Sequence, residues 1–167
     1  YNLWSTMATY TVRRATLADL DALVHHRVRM FEDMGVTSAS EEGAAMPGAY
    51  RRWLEEHLPR NQYVAWVVED AGSLERAVVA GGGATVIPWP PGPRYPGTRL
   101  AFVYNVYTEP AHRGRGVARL IMDAIHAFCR AEGIRSVALN ASVFGRPLYE
   151  SLGYGVTPSP MMFLSLD

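Results

Sequence analysis

Apolar positions recur along the chain in two rhythms, one of period near 3.6 and one of extended runs. Leu17, Leu20, Val24, Val28 and Phe31 fall at helical spacing, and Thr16 followed by Asp19 has the form of a capping box. Gly35, suited to a left-handed C-cap, closes this first helix. A second helix is expected from Pro47 through Tyr50, Trp53, Leu54 and Leu58, stopped by Pro59, with Glu41 and Glu42 in the loop before it. Residues 10–13 are β-prone, and 63–69 and 77–87 read as strands joined at the turn cluster Asp70-Ala71-Gly72-Ser73, an antiparallel hairpin. Gly81-Gly82-Gly83 inside the second of these points to a bulge or a close backbone approach, since no Gly-Lys-Ser/Thr follows to make a phosphate loop.

Residues 88–99 hold five prolines and are expected to form a stiff, partly polyproline-like loop that could border a pocket. A strand over 100–107 then leads to a helix whose stripe is Val117, Leu120, Ile121, Ala124, Ile125 and Phe128, capped by Gly133. Ser136 to Leu139 completes a strand, helix, strand unit with a parallel, right-handed crossover. Pro147 starts a short helix ending at Gly153, and Val156 with Met161–Leu166 is expected to supply final strand material. There is no internal repeat, so the architecture is a mixed α/β (α+β) fold on one sheet.

Composition narrows the function classes. With 167 residues, 49% apolar and 19% charged, one globular domain is expected, over residues 7–167; residues 1–6 are set aside as an extended or expression-derived start before Met7. Sixteen basic and sixteen acidic residues cancel, so no global field steers the molecule toward nucleic acid or anionic membrane, and phosphate recognition must be local. The single cysteine, Cys129, makes no internal disulfide and is read as packing. No apolar run approaches the roughly 18 residues of a membrane span, and a cytoplasmic protein is expected. His25 and His26 are adjacent and are read as pointing to different faces of their helix, while His57, His112 and His126 stand alone, so no metal is assigned.

The stretch with chemical content is Tyr107-Thr108-Glu109-Pro110-Ala111-His112-Arg113-Gly114-Arg115-Gly116-Val117-Ala118, a strand end passing through a basic, glycine-rich turn into a helix. Unpaired N–H groups and the positive end of the helix dipole favour a phosphate or pyrophosphate there. Gly114 and Gly116 let such a group approach the main chain, and Arg113 and Arg115 add charge. The turn fails the dinucleotide pattern, which needs a third glycine where Arg119 stands.

These residues resemble the GNAT superfamily of N-acetyltransferases, whose signature Arg/Gln-x-x-Gly-x-Gly/Ala is matched by Arg113 to Ala118. Asn105-Val106-Tyr107-Thr108-Glu109-Pro110 leads into it, and Gly145-Arg146-Pro147-Leu148-Tyr149-Glu150-Ser151-Leu152-Gly153-Tyr154 is similar to the family's later Leu-Tyr-x-x-x-Gly-Phe/Tyr segment. The resemblance implies a single mixed sheet, largely antiparallel, with a central pair of splayed parallel strands and helices on both faces. It implies acetyl-CoA as co-substrate. Main-chain groups of Val106, Tyr107 and Thr108 would pair with the pantetheine arm, and Arg113, Gly114, Arg115, Gly116, Val117 and Ala118 would hold the pyrophosphate. Asn140 and Ser142 would face the cofactor's arm or thioester, and Tyr149 would protonate the leaving thiolate.

The implied reaction is direct acetyl transfer to a primary amine of a small molecule or amino compound, the acceptor bound by the first two helices, the loop between them and the proline-rich loop, with Trp89 and Tyr95 as candidate border residues. No nucleic acid or membrane partner is implied, and a homodimer could form through the sheet or Met161–Leu166. The general base is not identified. Where some family members carry a Glu, this chain has Arg99, Leu100 and Ala101, leaving a water chain ending at Glu32, Glu41, Glu42 or Tyr104. That gap keeps a second reading open, a non-catalytic CoA-binding regulatory module.

Overall fold

The computed structural model describes residues 9–36 and 39–166; the boundary expected at residues 1–6 lies outside them. Within these residues five strands form one sheet in the order β1-β2-β3-β4-β5, made of β1 (Tyr10–Arg14), β2 (Tyr63–Asp70), β3 (Val78–Pro88), β4 (Arg99–Thr108) and β5 (Val137–Leu139). The first three pairings are antiparallel and β4 runs parallel to β5. Helices α1 (Leu20–Asp33), α2 (Glu41–His57), α3 (Val117–Ala131) and α4 (Arg146–Ser151) complete the fold.

The two faces of the sheet can be read from β2, every residue of which from Tyr63 to Val68 is buried. Alternate side chains separate: Tyr63, Ala65 and Val67 pack with Leu20, Leu23, Tyr50 and Leu54 of α1 and α2, whereas Val64, Trp66 and Val68 pack with Ile121, Met122 and Ile125 of α3. The glycine run in β3 lets both layers come close. A Cβ on Gly82 would stand 2.8 Å from Ile121 Cγ2, and one on Gly83 2.5 Å from Val64 O and 2.6 Å from the Tyr63 ring. This is the close approach expected from the sequence.

At the start of α1, Thr16 Oγ1 accepts from the Ala18 N–H, while Asp19 Oδ2 accepts from the Thr16 N–H at 2.8 Å, so the capping box is present. A 3-10 turn over Leu17–Asp19 precedes the α-helix. Helix α2 begins earlier than expected. Ser40 Oγ accepts from the Gly43 N–H, Glu41 and Glu42 lie in the first turn where the helix dipole favours them, and Pro47 is carried inside the helix. The two carboxylates are therefore exposed helix residues, not loop residues. The other correction concerns Met161–Leu166, which forms no strand and is exposed. An apolar run becomes a strand only when a neighbouring strand pairs with it, and β5, at the sheet edge, is three residues long.

Candidate active site

The site begins where β4 parts from its neighbour. Pairing with β5 covers only Ala101, Phe102 and Val103, and from Tyr104 to Thr108 the β5 side of β4 carries no strand. Its other side stays paired with β3 but slips register: Gly83 faces Tyr104 while Gly81 faces Tyr107, so Asn105 and Val106 together oppose Gly82. This is a bulge in β4, with Asn105 in the left-handed region at φ 63°, a conformation that asparagine tolerates better than most side chains. The extra residue resets the alternation of faces. Tyr104 and Asn105 both point toward the α1–α2 layer, Val106 packs with the α3 layer, and the Tyr107 ring lies 5.2 Å from His26 of α1.

Around the bulge the α1–α2 layer gathers polar groups, of which the sequence singled out Tyr104, as an end of a water chain, and Asn105, in the stretch leading into the family signature. Asn105 Nδ2 donates to Tyr50 Oη at 2.9 Å and to Tyr63 Oη at 3.4 Å, and Arg27 Nη1 donates to Asn105 Oδ1. Burial pushes the Tyr50 phenol far above its usual value and those of Tyr63 and Tyr104 up to about 12, so all three remain neutral donors near neutrality. Tyr104 stacks on Tyr63 at 5.4 Å between centroids and shares a hydrogen bond with Thr85. Arg27, Tyr50 and Tyr63 gave no advance signal as site residues.

Below the bulge, β4 passes into the glycine-rich turn. Gly114 and Gly116 adopt φ 71° and 78°, with open space where a Cβ would be. Gly116 is the N-cap of α3 and offers no side-chain bond, and the first turn holds no acid. The first hydrogen bond into the helix runs from the Leu120 N–H to Gly116 O, leaving the N–H groups ahead of it without intrahelical acceptors. N–H donors without intrahelical acceptors, two glycines and the positive end of a 15-residue helix fit a diphosphate. Arg113 is engaged elsewhere: its Nε donates to Thr108 O at 2.9 Å and its Nη2 to Asp33 at 2.6 Å, bracing the end of β4 against α1. Arg115 is exposed in the turn.

Tyr149 lies on α4, its ring edge-on to Tyr154 at 5.9 Å and its phenol pushed up by burial. Ser142 Oγ accepts from the Gly145 N–H at 3.1 Å and so supports the entry to α4. Asn140, just past β5, is exposed, with Nδ2 3.8 Å from Met161 Sδ.

Several expected positions fall away from the bulge. The proline-rich loop sits at the opposite end of β4, tied to the α3–β5 turn by Arg99 donating to Glu132 O and Arg135 donating to Pro96 O at 3.5 Å. Six residues of strand, about 20 Å, separate Arg99 from Asn105. Trp89 and Tyr95 pack on each other there, 6.0 Å between centroids. Glu32 pairs with Arg29 on the outer face of α1. His25 and His26, read from sequence as diverging, both reach one carboxylate, their Nε2 atoms 3.0 and 3.6 Å from Glu109 Oε1. Burial, with a smaller contribution from His25, lowers the His26 pKa to about 4. Cys129 is buried in the core against α3 neighbours, as expected.

Comparison with known proteins agrees with this geometry. The family model described as Acetyltransferase (GNAT) family matches residues 21–154. A GCN5-related N-acetyltransferase from Ralstonia eutropha JMP134 is 31% identical, over 93% of this chain and 98% of that one, with a TM-score of 0.79. A "predicted acetyltransferase with acetyl-CoA" from Clostridium acetobutylicum is 26% identical, over 95% and 96%, with a TM-score of 0.79. Glucosamine-6-phosphate N-acetyltransferase from Arabidopsis thaliana shares the fold at 19% identity, over 95% and 99%, with a TM-score of 0.66.

Proposed function

The chain belongs to the GNAT acetyltransferase family, and on that premise we propose that it transfers the acetyl group of acetyl-CoA directly to a primary amine of a small molecule or amino compound. The observation that carries the reading is the course of β4: its open side past Val103 leads, through a 3-10 turn at Pro110–His112 and the glycine-rich turn, to the uncapped N-terminus of α3. An extended pantetheine arm fits the first, pairing with main-chain groups of Val106, Tyr107 and Thr108, and a pyrophosphate fits the second, at Arg113 to Ala118. Asn140 and Ser142 flank the arm from the β5 side.

In this reading the neutral amine attacks the thioester carbonyl and the developing oxyanion takes a main-chain N–H at Val106 or Tyr107. The C–S bond breaks, and Tyr149, held protonated by burial, gives its proton to the sulfur. Among the described residues no carboxylate contacts the Arg27, Tyr50, Tyr63 and Asn105 cluster, so the amine loses its proton to water. The homodimer belongs to the same proposal, with Met161, Met162, Phe163, Leu164 and Leu166 exposed and available to a second copy.

The test is thiol release from acetyl-CoA against a panel of amines. Saturable, amine-dependent release is expected. Binding of acetyl-CoA with no release for any amine would favour the regulatory module instead.

A further inference from the structure

Arg27 is a half-buried cation that no carboxylate neutralises among the described residues. The acids of its own helix have other partners: Asp21 bonds Arg51, Glu32 bonds Arg29 at 2.7 Å, and Asp33 bonds Arg113 at 2.6 Å. Its guanidinium carbon lies 4.9 Å from the Phe31 ring centroid and 4.7 Å from that of Tyr50. Nη1 donates to Asn105 Oδ1, while Nε is shut off from water and has no acceptor. Two aromatic rings thus hold a planar, permanently charged fork at the bulge and leave part of its donor set unsatisfied. Nε, sealed from solvent, lies out of a ligand's reach; a ligand meets the rest of the half-buried fork, whose charge no carboxylate neutralises among the described residues. A fixed guanidinium fork matches a carboxylate in shape and charge.

We propose that Arg27 receives a carboxylate of the acceptor, which makes the substrate an amine that also carries a carboxylate, an amino acid or close analogue. This rests on the acetyl-transfer reading above. Asn105 joins Arg27 to the bulge, next to the main chain of Val106 where the thioester carbonyl is placed, so amine and carboxylate must be only a few bonds apart. Tyr50 and Tyr63, kept neutral by burial, accept from Asn105 and add no competing negative charge beside Arg27. A dication or a plain alkylamine would instead meet the Arg27 charge at close range.

The test compares amino acids with their own carboxamides, which keep the amine and the side chain and remove only the charge. The carboxamide amine is the less basic, so a site indifferent to charge would favour it. With thiol release as the readout, kcat/KM is expected to be roughly tenfold or more higher for the acids. Arg27→Gln should bring that ratio to one or below, mainly through KM, and Arg27→Lys should keep part of it. Acetyl-CoA affinity, measured by calorimetry on the same samples, should hardly change in either variant. Carboxamides accepted as well as the acids, an unchanged ratio in Arg27→Gln, or no amino acid accepted by a protein that binds acetyl-CoA would each overturn the proposal. Loss of acetyl-CoA binding in the unaltered protein would overturn the acetyl-transfer reading instead. Should circular dichroism show Arg27→Gln unfolded, Arg27→Lys carries the comparison.

Discussion

Asn105 combines a backbone angle that few residues accept with a side chain that joins three others, and both can be tested separately. Asn105→Ala should destabilise the protein by about 2 kcal/mol, part from the left-handed backbone and part from the lost bonds. Asn105→Gly should recover the backbone part only, and urea unfolding of the two variants separates the contributions. Tyr149→Phe should slow acetyl transfer about 100-fold while leaving acetyl-CoA affinity unchanged; an unaltered kcat would remove Tyr149 from the reaction. In the proposed reaction the amine loses its proton to water, so kcat/KM should climb about tenfold per pH unit until the acceptor amine's own pKa is passed. A plateau well below that pKa would reveal a protein base. Gly114 and Gly116 were legible in the sequence because a glycine-rich turn ahead of an apolar helix stripe marks them, whereas Tyr149 stood out only through the family resemblance. Arg27, Tyr50 and Tyr63 were not legible, since they come from α1, α2 and β2 and meet only when the sheet brings β4 beneath them.

At the scale of elements, helix periodicity identified α1 and α3, and turn residues identified the β2–β3 hairpin, because each depends on neighbours in sequence. The start of α2 was missed because Pro47 reads as a first-turn residue, although Ser40 caps the helix two turns earlier. The expected strand at Met161–Leu166 failed for a related reason: β-propensity has no meaning without a paired neighbour. The entry to α1 supplies a pH prediction. Burial opposes ionisation of Asp19, but bonds from both Arg13 amino groups at 2.8 Å and from the Thr16 N–H outweigh it, so its pKa lies below the usual 3.8. Its contribution is therefore present above that value and disappears as pH falls through the lowered one. Neutral His26 acts over a higher window: between 6.5 and about 4 the unfolded chain holds a proton that the folded one lacks, so stability rises with pH there. Thermal melts from pH 7 to 3 should show both losses. Asp19→Asn should cost about 2 kcal/mol at pH 7 and flatten only the lower one. Gly82→Val would drive a side chain into Ile121 and Val106, 2.8 and 3.0 Å from the Cβ position, and should cost at least about 1–3 kcal/mol in chemical denaturation.

The whole molecule is organised by one asymmetry in its sheet. Strand β4 is held by β3 along its length and by β5 over three residues, so the same strand is a core element at one end and an open edge at the other. That open edge faces neither core cluster. It leads to the α3 N-terminus, and Arg27 of α1 and Tyr50 of α2 meet β4 at the bulge through Asn105. The β2–β3 hairpin and the parallel β4–β5 crossover could be anticipated from sequence, whereas the extent of the β4–β5 pairing could not. Removing Met161–Leu166 should convert a homodimer to a monomer in light scattering; an unchanged mass would place the contact elsewhere. The central claim, that the open edge and the helix N-terminus together hold acetyl-CoA, is tested most directly by calorimetric titration of the protein with acetyl-CoA. Saturable one-to-one binding that Gly116→Val weakens without unfolding the protein is the predicted result. An absence of binding by the unaltered protein, or binding indifferent to that substitution, would contradict it.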